Sequence, residues 1–398
     1  MTDTNRLGLL TTVLLATALF SSMGGPALAP ALPAIRAAYG DVHQIEFWTK
    51  MLIAISGLFS ALGAPLFGWI SDRYGRRRAL NLALASWALF GSLGLVPQPF
   101  WTLLAGRAAL GLSLGGLLAA NTAMIAASFD REHGRRMMGL QSSFASIGII
   151  VALIVSGWLA DLHWRYVFML FLCGFLVLPF SLSYPEPSKH RQPTSPDPTQ
   201  GPLSFGLPLL CLFGFTAMLA FNIIPTQLPF FLKHHDLESA RHIGLVLAVL
   251  PLSSAIGGRL YASLPAGARP WNHFLFTGAL MLAGFATLAL ATTRIGLVAG
   301  LIMIGCAFGL TMPHVNTVLS QLVPPNRRGR ALGILTSCKF IGLSASPIVL
   351  QPLLTSYGYH GMLLGSGWII FFVAALVWAA GTLLTGRRYA GPDSRTLP

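Results

Sequence analysis

The sequence predicts an all-α membrane protein of twelve spanning helices in two pseudo-symmetric six-helix bundles. Three observations carry that expectation. Only 10% of the 398 residues are charged and 54% are hydrophobic, whereas a soluble domain carries about a quarter charged residues. The apolar residues fall into twelve runs, each near the roughly 20 residues that cross a bilayer. A single polar, proline-rich stretch leaves six runs on either side of it.

The first run needs a decision. Arg6, the apolar Leu9 to Phe20 and Ala27-Leu28-Ala29 imitate a cleaved signal peptide. Apolar character continues to Ile35, so 9–35 reads as a true span. The others read as 46–70, 79–97, 100–125, 138–160, 165–184, 204–231, 241–262, 271–292, 295–320, 331–352 and 361–385. In hydrocarbon every backbone polar group must be bonded internally, which makes these runs helices. Their continuity excludes barrel strands, which alternate with period two. Residues 185–203 hold six prolines and scattered charge, a composition that forms neither helix nor core. The expected organisation is therefore a bundle over 1–184, a cytoplasmic linker over 185–203 and a bundle over 204–398.

Charge placement sets the orientation. With the N-terminus in the cytoplasm, 18 of the 26 Lys and Arg fall on inner segments and 6 at outer ends. The remaining two, Arg107 and Lys339, lie inside spans. This positive-inside bias puts both termini in the cytoplasm of a cell membrane, with a bacterial inner membrane as the expected setting. The net charge of +14 sits in short loops and forms no stripe on a soluble face, which argues against a nucleic-acid partner. The cysteines, Cys173, Cys211, Cys306 and Cys338, lie in apolar runs with no Cys-x-x-Cys spacing and read as small buried hydrophobes. His133, His163, His234-His235 and His242 read as solvated loop residues. No metal or cofactor is expected.

The halves repeat weakly. Arg136, Gly139, Ser143, Ile147 and Gly148 recur 194 residues later as Arg330, Gly333, Ser337, Ile341 and Gly342. Pro26 and Pro30 interrupt span 1 as Pro225 and Pro229 interrupt span 7. Paired interruptions in corresponding spans point to a substrate site at the interface of the halves.

The turn from span 2 to span 3 reads Gly68-Trp-Ile-Ser-Asp72-Arg73-Tyr-Gly75-Arg76-Arg77-Arg78. Its Gly-x-x-x-Asp-Arg-x-Gly-Arg-Arg pattern resembles the loop signature of major facilitator superfamily transporters, and the twelve-span layout extends the resemblance over nearly the whole chain. The resemblance implies the major facilitator fold and a conformational role for Gly68, Asp72, Arg73, Gly75, Arg76 and Arg77; Arg136 and Arg330, which recur in the two halves, are further candidate gating positions. The run Leu103-Leu-Ala-Gly-Arg107-Ala-Ala-Leu-Gly111 is similar to the fourth-span motif of the drug:proton antiporter branch, which implies proton coupling at Arg107. That branch's fifth-span Gly-Pro pattern is absent.

Arg107 lies about eight residues into span 4, roughly 12 Å along the helix, and a charge at that depth is functional by default. Lys339 has a similar depth in span 11, and His314 lies in span 10. All twelve acids fall in loops or at span ends. Cations without a mid-span acid predict a cavity for an anionic or zwitterionic solute. Asn121, Asn222, Thr226, Gln227 and Asn316 are the expected hydrogen-bonding residues. Glu46, Asp161 and His314 are the candidate proton sites. The chain has no phosphate-binding loop for ATP, and its histidines are too scattered for an enzyme. The expectation is a monomeric secondary transporter of a small molecule, embedded in lipid and working by alternating access. Export of a drug or siderophore-like metabolite is the leading reading, with protons as the coupling ion. Proton-driven uptake of an organic anion, or a receptor on a transporter fold, are the alternatives.

Overall fold

The computed structural model describes residues 3–129, 131–183, 206–233, 239–263, 270–324 and 327–389. The linker over 185–203 and the His234-His235-Asp236 run lie outside them. The described residues are helical, with no strand among them. Ten helical segments there are long and apolar enough to cross a membrane. One of these, Arg330–Leu383, contains two spans divided at Gly358. The 17-residue helix Arg76–Ser92 is the remaining span, so twelve are present.

The breaks within spans follow from local chemistry. Span 1 is an α-helix over Asp3–Met23, a 3-10 helix over Pro26–Ala31 and a second α-helix over Leu32–Ala38. Pro26 and Pro30 lack the N–H that an α-helix needs. Span 7 runs as Gly206–Phe221 and Ile223–Lys233, broken at Asn222, next to the Phe221 carbonyl that Pro225, lacking an N–H, leaves without its helical donor. Span 6 begins as a 3-10 helix, Trp164–Leu172, and continues as Cys173–Leu182. Spans 11 and 12 run through Arg328–Tyr389, with Gly358 at φ 64° between them. The uninterrupted spans include Ile45–Tyr74, Arg76–Ser92, Phe100–Ser128, Arg131–Leu162, Ala240–Ser263, Pro270–Leu290 and Arg294–Leu322, which are spans 2, 3, 4, 5, 8, 9 and 10.

By contacts the chain forms two compact units. The first joins 1–196 with Phe221–Leu252 and Phe340–Pro352. It thus contains spans 1 to 6 and the parts of spans 7, 8 and 11 nearest the end remote from the termini. Within it, spans 5 and 8 touch backbone to backbone. A Cβ on Gly244 would lie 2.4 Å from the Leu153 carbonyl oxygen. The second unit joins 197–220, Ser253–Lys339 and Leu353–Pro398. Its core includes Phe213, Phe274, Phe285 and Leu301, all fully buried.

Candidate functional site

Arg107 is positioned by a close helix pair. A Cβ on Gly111 would lie 2.4 Å from Ser56 O, and one on Gly115 would lie 2.1 Å from Ser60 O. Only glycine allows spans 2 and 4 to approach so closely, the packing mode expected where lipid supplies no hydrophobic drive. Ser60 Oγ donates to Gly111 O at 3.0 Å and Ser56 Oγ to Arg107 O at 3.1 Å. This contact brings the Leu52 carbonyl to Arg107, whose Nε donates to it at 3.1 Å. A second guanidinium nitrogen, Nη2, donates to Gly24 O. That carbonyl is available because span 1 has left α-helical geometry there: Leu28 N donates instead to Gly25 O.

Arg107 is 1% exposed, so it does not reach out to the membrane surface. Its Nη1 has no hydrogen-bond partner among the described residues. Its guanidinium carbon sits 5.8 Å from the Phe171 ring centre. Glu46 makes ion pairs with Arg36 and Lys50, whereas Arg107 pairs with no carboxylate among the described residues. Carbonyl dipoles and an aromatic face carry its charge.

Asn121, further along span 4, ties it to span 1. Its Nδ2 donates to Leu14 O at 2.9 Å and to Thr17 Oγ1 at 3.0 Å, while its buried Oδ1 has no partner among the described residues. At the break in span 7, Asn222 Nδ2 donates to Leu343 O at 2.8 Å and Thr226 Oγ1 to Asn222 O at 2.5 Å. Gln227 is 1% exposed, with neither amide atom bonded among the described residues. The broken segments of spans 1 and 7 line a small apolar cleft bordered by Pro26, Ile149, Leu153, Pro225, Leu247 and Pro251.

The sequence reading missed Lys50. It is one of the six cations that the charge count places at outer ends, yet its side chain is fully buried in the first unit. Glu46 bonds Lys50 Nζ at 3.0 Å and Arg36 at 3.1 Å. Both cations face the Phe230 ring of span 7, at 5.4 and 6.0 Å. Glu46 is therefore a bridge between two cations. Asp161 accepts from Ser239 Oγ at 2.6 Å.

In the second unit Lys339 Nζ donates to Asn316 Oδ1 at 3.1 Å. No Asp or Glu occurs from Ala240 to Tyr389, so no carboxylate on spans 8 to 12 faces Lys339. His314, 7% exposed, lies with its Nδ1 3.3 Å from Tyr261 Oη and its ring centre 4.1 Å from that of His273. His273 was not singled out from the sequence.

The loop signature also has a local logic. Gly75 ends span 2 at φ 104°, a backbone that favours glycine, and its N–H donates to Ser71 O at 3.1 Å. Arg76 opens span 3. Arg73 stacks over Trp69 and Tyr74 at 5.6 and 5.7 Å. Arg77 Nη1 donates to Leu182 O at 3.4 Å, joining spans 3 and 6. Asp72, Arg136 and Arg330 are exposed, and nothing lies within 4 Å of where a Cβ on Gly68 would stand.

The singled-out residues thus form several groups. Arg107 and Asn121 share span 4, and Asn222, Thr226 and Gln227 share the break in span 7. Lys339 pairs with Asn316. Glu46, Asp161 and His314 stand in three separate places. Among the described residues no three His, Cys, Asp or Glu side chains converge as a metal site.

Broken membrane-length helices, buried polar side chains and cations held by neutral partners define a multi-span membrane transporter. The chain belongs to the Major Facilitator Superfamily, whose sequence profile matches residues 14–347. It is 26% identical over 350 residues to the Multidrug resistance protein MdtG of Proteus mirabilis, covering 85% of this chain and 87% of that one. It is 24% identical to the Multi-drug resistance efflux pump PmrA of Streptococcus pneumoniae, covering 83% and 85%. In fold it is similar to a D-xylose-proton symporter, with a TM-score of 0.79 at 16% identity over 94% of this chain and 97% of that one. It is also similar to the human organic anion transporter MFSD10, with a TM-score of 0.69 at 20% identity over 95% and 100%.

Proposed function

We propose that this transporter exports a small amphipathic molecule of anionic or zwitterionic character by alternating access. One observation carries the reading. Arg107 and Lys339 lie inside spans and are met among the described residues by carbonyls, an amide, an aromatic ring and the Cys211 thiol beside Lys339, while the described acids lie in loops or at span ends. Desolvated cations without counter-ions favour an anion and disfavour a second cation. The apolar cleft at the paired breaks suits the hydrocarbon part of such a solute. Export is favoured because two relatives are named multidrug resistance or efflux proteins.

In this reading residues 1–184 and 204–398 are the moving halves and 185–203 joins them in the cytoplasm. Both termini and the arginine turn Arg76-Arg77-Arg78 face inward, in a bacterial inner membrane. The protein works as a monomer, without a cofactor and without chemical conversion of its cargo. Asn121, Asn222, Thr226, Gln227 and Asn316 hydrogen-bond the solute. Asp72, the loop arginines, Arg136 and Arg330 bias the two states.

The test is flux in proteoliposomes, comparing a fluorescent organic anion with a lipophilic cationic dye. The wild type is expected to move the anion, and K339A and R107A to lose affinity for it. Unchanged anion affinity in both variants overturns the anionic reading. Absence of flux for every probe favours a receptor instead.

A further inference from the structure

The second half has imidazoles where a proton-coupled carrier would be expected to hold a carboxylate. No Asp or Glu occurs between Ala240 and Tyr389, so spans 8 to 12 contain no acid to titrate. Yet three titratable side chains from three consecutive spans converge there. Tyr261 lies near the end of span 8, His273 in the first turn of span 9 and His314 in the last third of span 10. Tyr261 Oη is 3.3 Å from His314 Nδ1, and the ring centres of His314 and His273 are 4.1 Å apart at an angle of 39°. Tyr261 also meets both imidazoles edge-on, at 5.6 and 5.7 Å.

The hydrogen bonds restrict the tautomers. His273 Nε2 lies 3.3 Å from Leu310 O. A carbonyl only accepts, so Nε2 carries the hydrogen, and in the neutral ring Nδ1 is then the basic atom. A proton taken up by His273 therefore arrives at Nδ1. Two charged rings with centres 4.1 Å apart in a part-buried setting repel strongly, so the pair can hold at most one proton and protonation of one ring opposes that of the other.

Among the described residues the surroundings supply no competing acid. Span 7 contributes Phe213 through Phe274, which packs edge-on against both Phe213 and His314. Span 8 carries Arg259, which is exposed. Span 11 carries Lys339, already bonded to Asn316 on span 10.

We propose that Tyr261, His314 and His273 form a one-proton binding station that couples proton movement to transport. The inference rests on the transport reading above and adds the site of the coupling ion to it. Tyr261 orients the His314 ring, and His273 receives or releases the proton at Nδ1.

The test uses the full-length protein in lipid nanodiscs with isotope-labelled histidine, titrated by NMR from about pH 5 to pH 9. Signals are assigned with H273Q and H314Q. The expected result is that both rings respond together in the wild type and the pair takes up one proton. In either single variant the remaining ring's curve is displaced by about tenfold in proton concentration. Y261F perturbs His314 first. Two rings with independent curves that are unchanged in the single variants overturn the station, as does a pair that takes up no proton in this range.

Flux separates the two inferences. The double variant H273Q/H314Q is expected to keep anion binding and to lose the acceleration of flux by a pH gradient. Gradient-driven flux unchanged in the double variant overturns the coupling role. Paired titration without flux of any probe leaves the station standing and removes the transport reading.

Discussion

Arg107 and Lys339 are both cations placed inside spans, and neither faces a carboxylate, yet their environments differ in kind. Arg107 is fully buried and bonded to two backbone carbonyls contributed by spans 1 and 2. Lys339 is part-buried and bonded to one side-chain amide, Asn316. Backbone carbonyls cannot swing away without deforming a helix, whereas an amide on a side chain can rotate. The first cation is therefore part of the packing of its unit as well as a charge for the solute, with Nη1 left unbonded among the described residues. The second is held by a partner that a solute can displace. A planar guanidinium with several fixed donors suits the first task and a point-charge ammonium the second.

The largest expected effect separates those roles. R107A strips the donor from the Gly24 carbonyl, which the break in span 1 leaves without a helical partner, and a buried unsatisfied acceptor costs about 1–3 kcal/mol; the Leu52 carbonyl keeps Ser56 within its helix. We expect a stability loss of about 3 kcal/mol and a fall in flux of at least about a hundredfold. R107K should recover little, because one ammonium cannot span two carbonyls on different helices. Thermal unfolding in detergent beside proteoliposome flux checks this. Near-native stability in R107A would mean that the Gly24 carbonyl finds another donor and that Arg107 is not structural.

G115V ranks next, because it attacks the helix contact that sets the site. The added Cβ would stand 2.1 Å from Ser60 O, a backbone atom that cannot rotate aside. Spans 2 and 4 must separate, which should cost about 2–3 kcal/mol and carry the Leu52 carbonyl away from Arg107. The fluorescence lifetime of a label near Phe171 would report the shift, and an unchanged lifetime with unchanged stability refutes the account.

Much of this was readable from residue order. The twelve spans follow from run length, and the breaks in spans 1 and 7 from proline chemistry, both local properties. Arg107 was legible because a charge deep in an apolar run has few interpretations. Lys50 was not legible. It sits in the second turn of span 2, where a lysine ordinarily reaches the surface, and its burial depends on Phe230 some 180 residues away. His273 was missed for a similar reason. A histidine at the start of a span looks like an interfacial residue until His314 is found against it.

K339Q should have a smaller and more selective effect. It is one atom shorter but keeps an N–H donor for Asn316 and removes the charge. Stability should change by less than about 0.5 kcal/mol, the usual range for a polar swap that unmakes no buried network. The apparent KM for an anionic probe should rise about tenfold, with the maximal rate little changed. A K339Q variant that unfolds as readily as R107A would erase the distinction between the two cations.

The smallest effect on stability is expected at Gly68, and it bears on the loop signature. Nothing lies within 4 Å of the position of its missing Cβ, and the residue is helical within Ile45–Tyr74. Here glycine has no steric reason to be present, and replacing it by alanine should add helix stability of up to about 1 kcal/mol. Gly75 differs, because its φ of 104° supplies a conformational reason. If the signature acts by bringing a neighbour close to Gly68 in the alternate state, G68A will unfold no earlier than wild type yet turn over several-fold more slowly. Wild-type turnover in G68A would mean that no such approach occurs, and the state bias would then rest on Asp72 and the arginines alone.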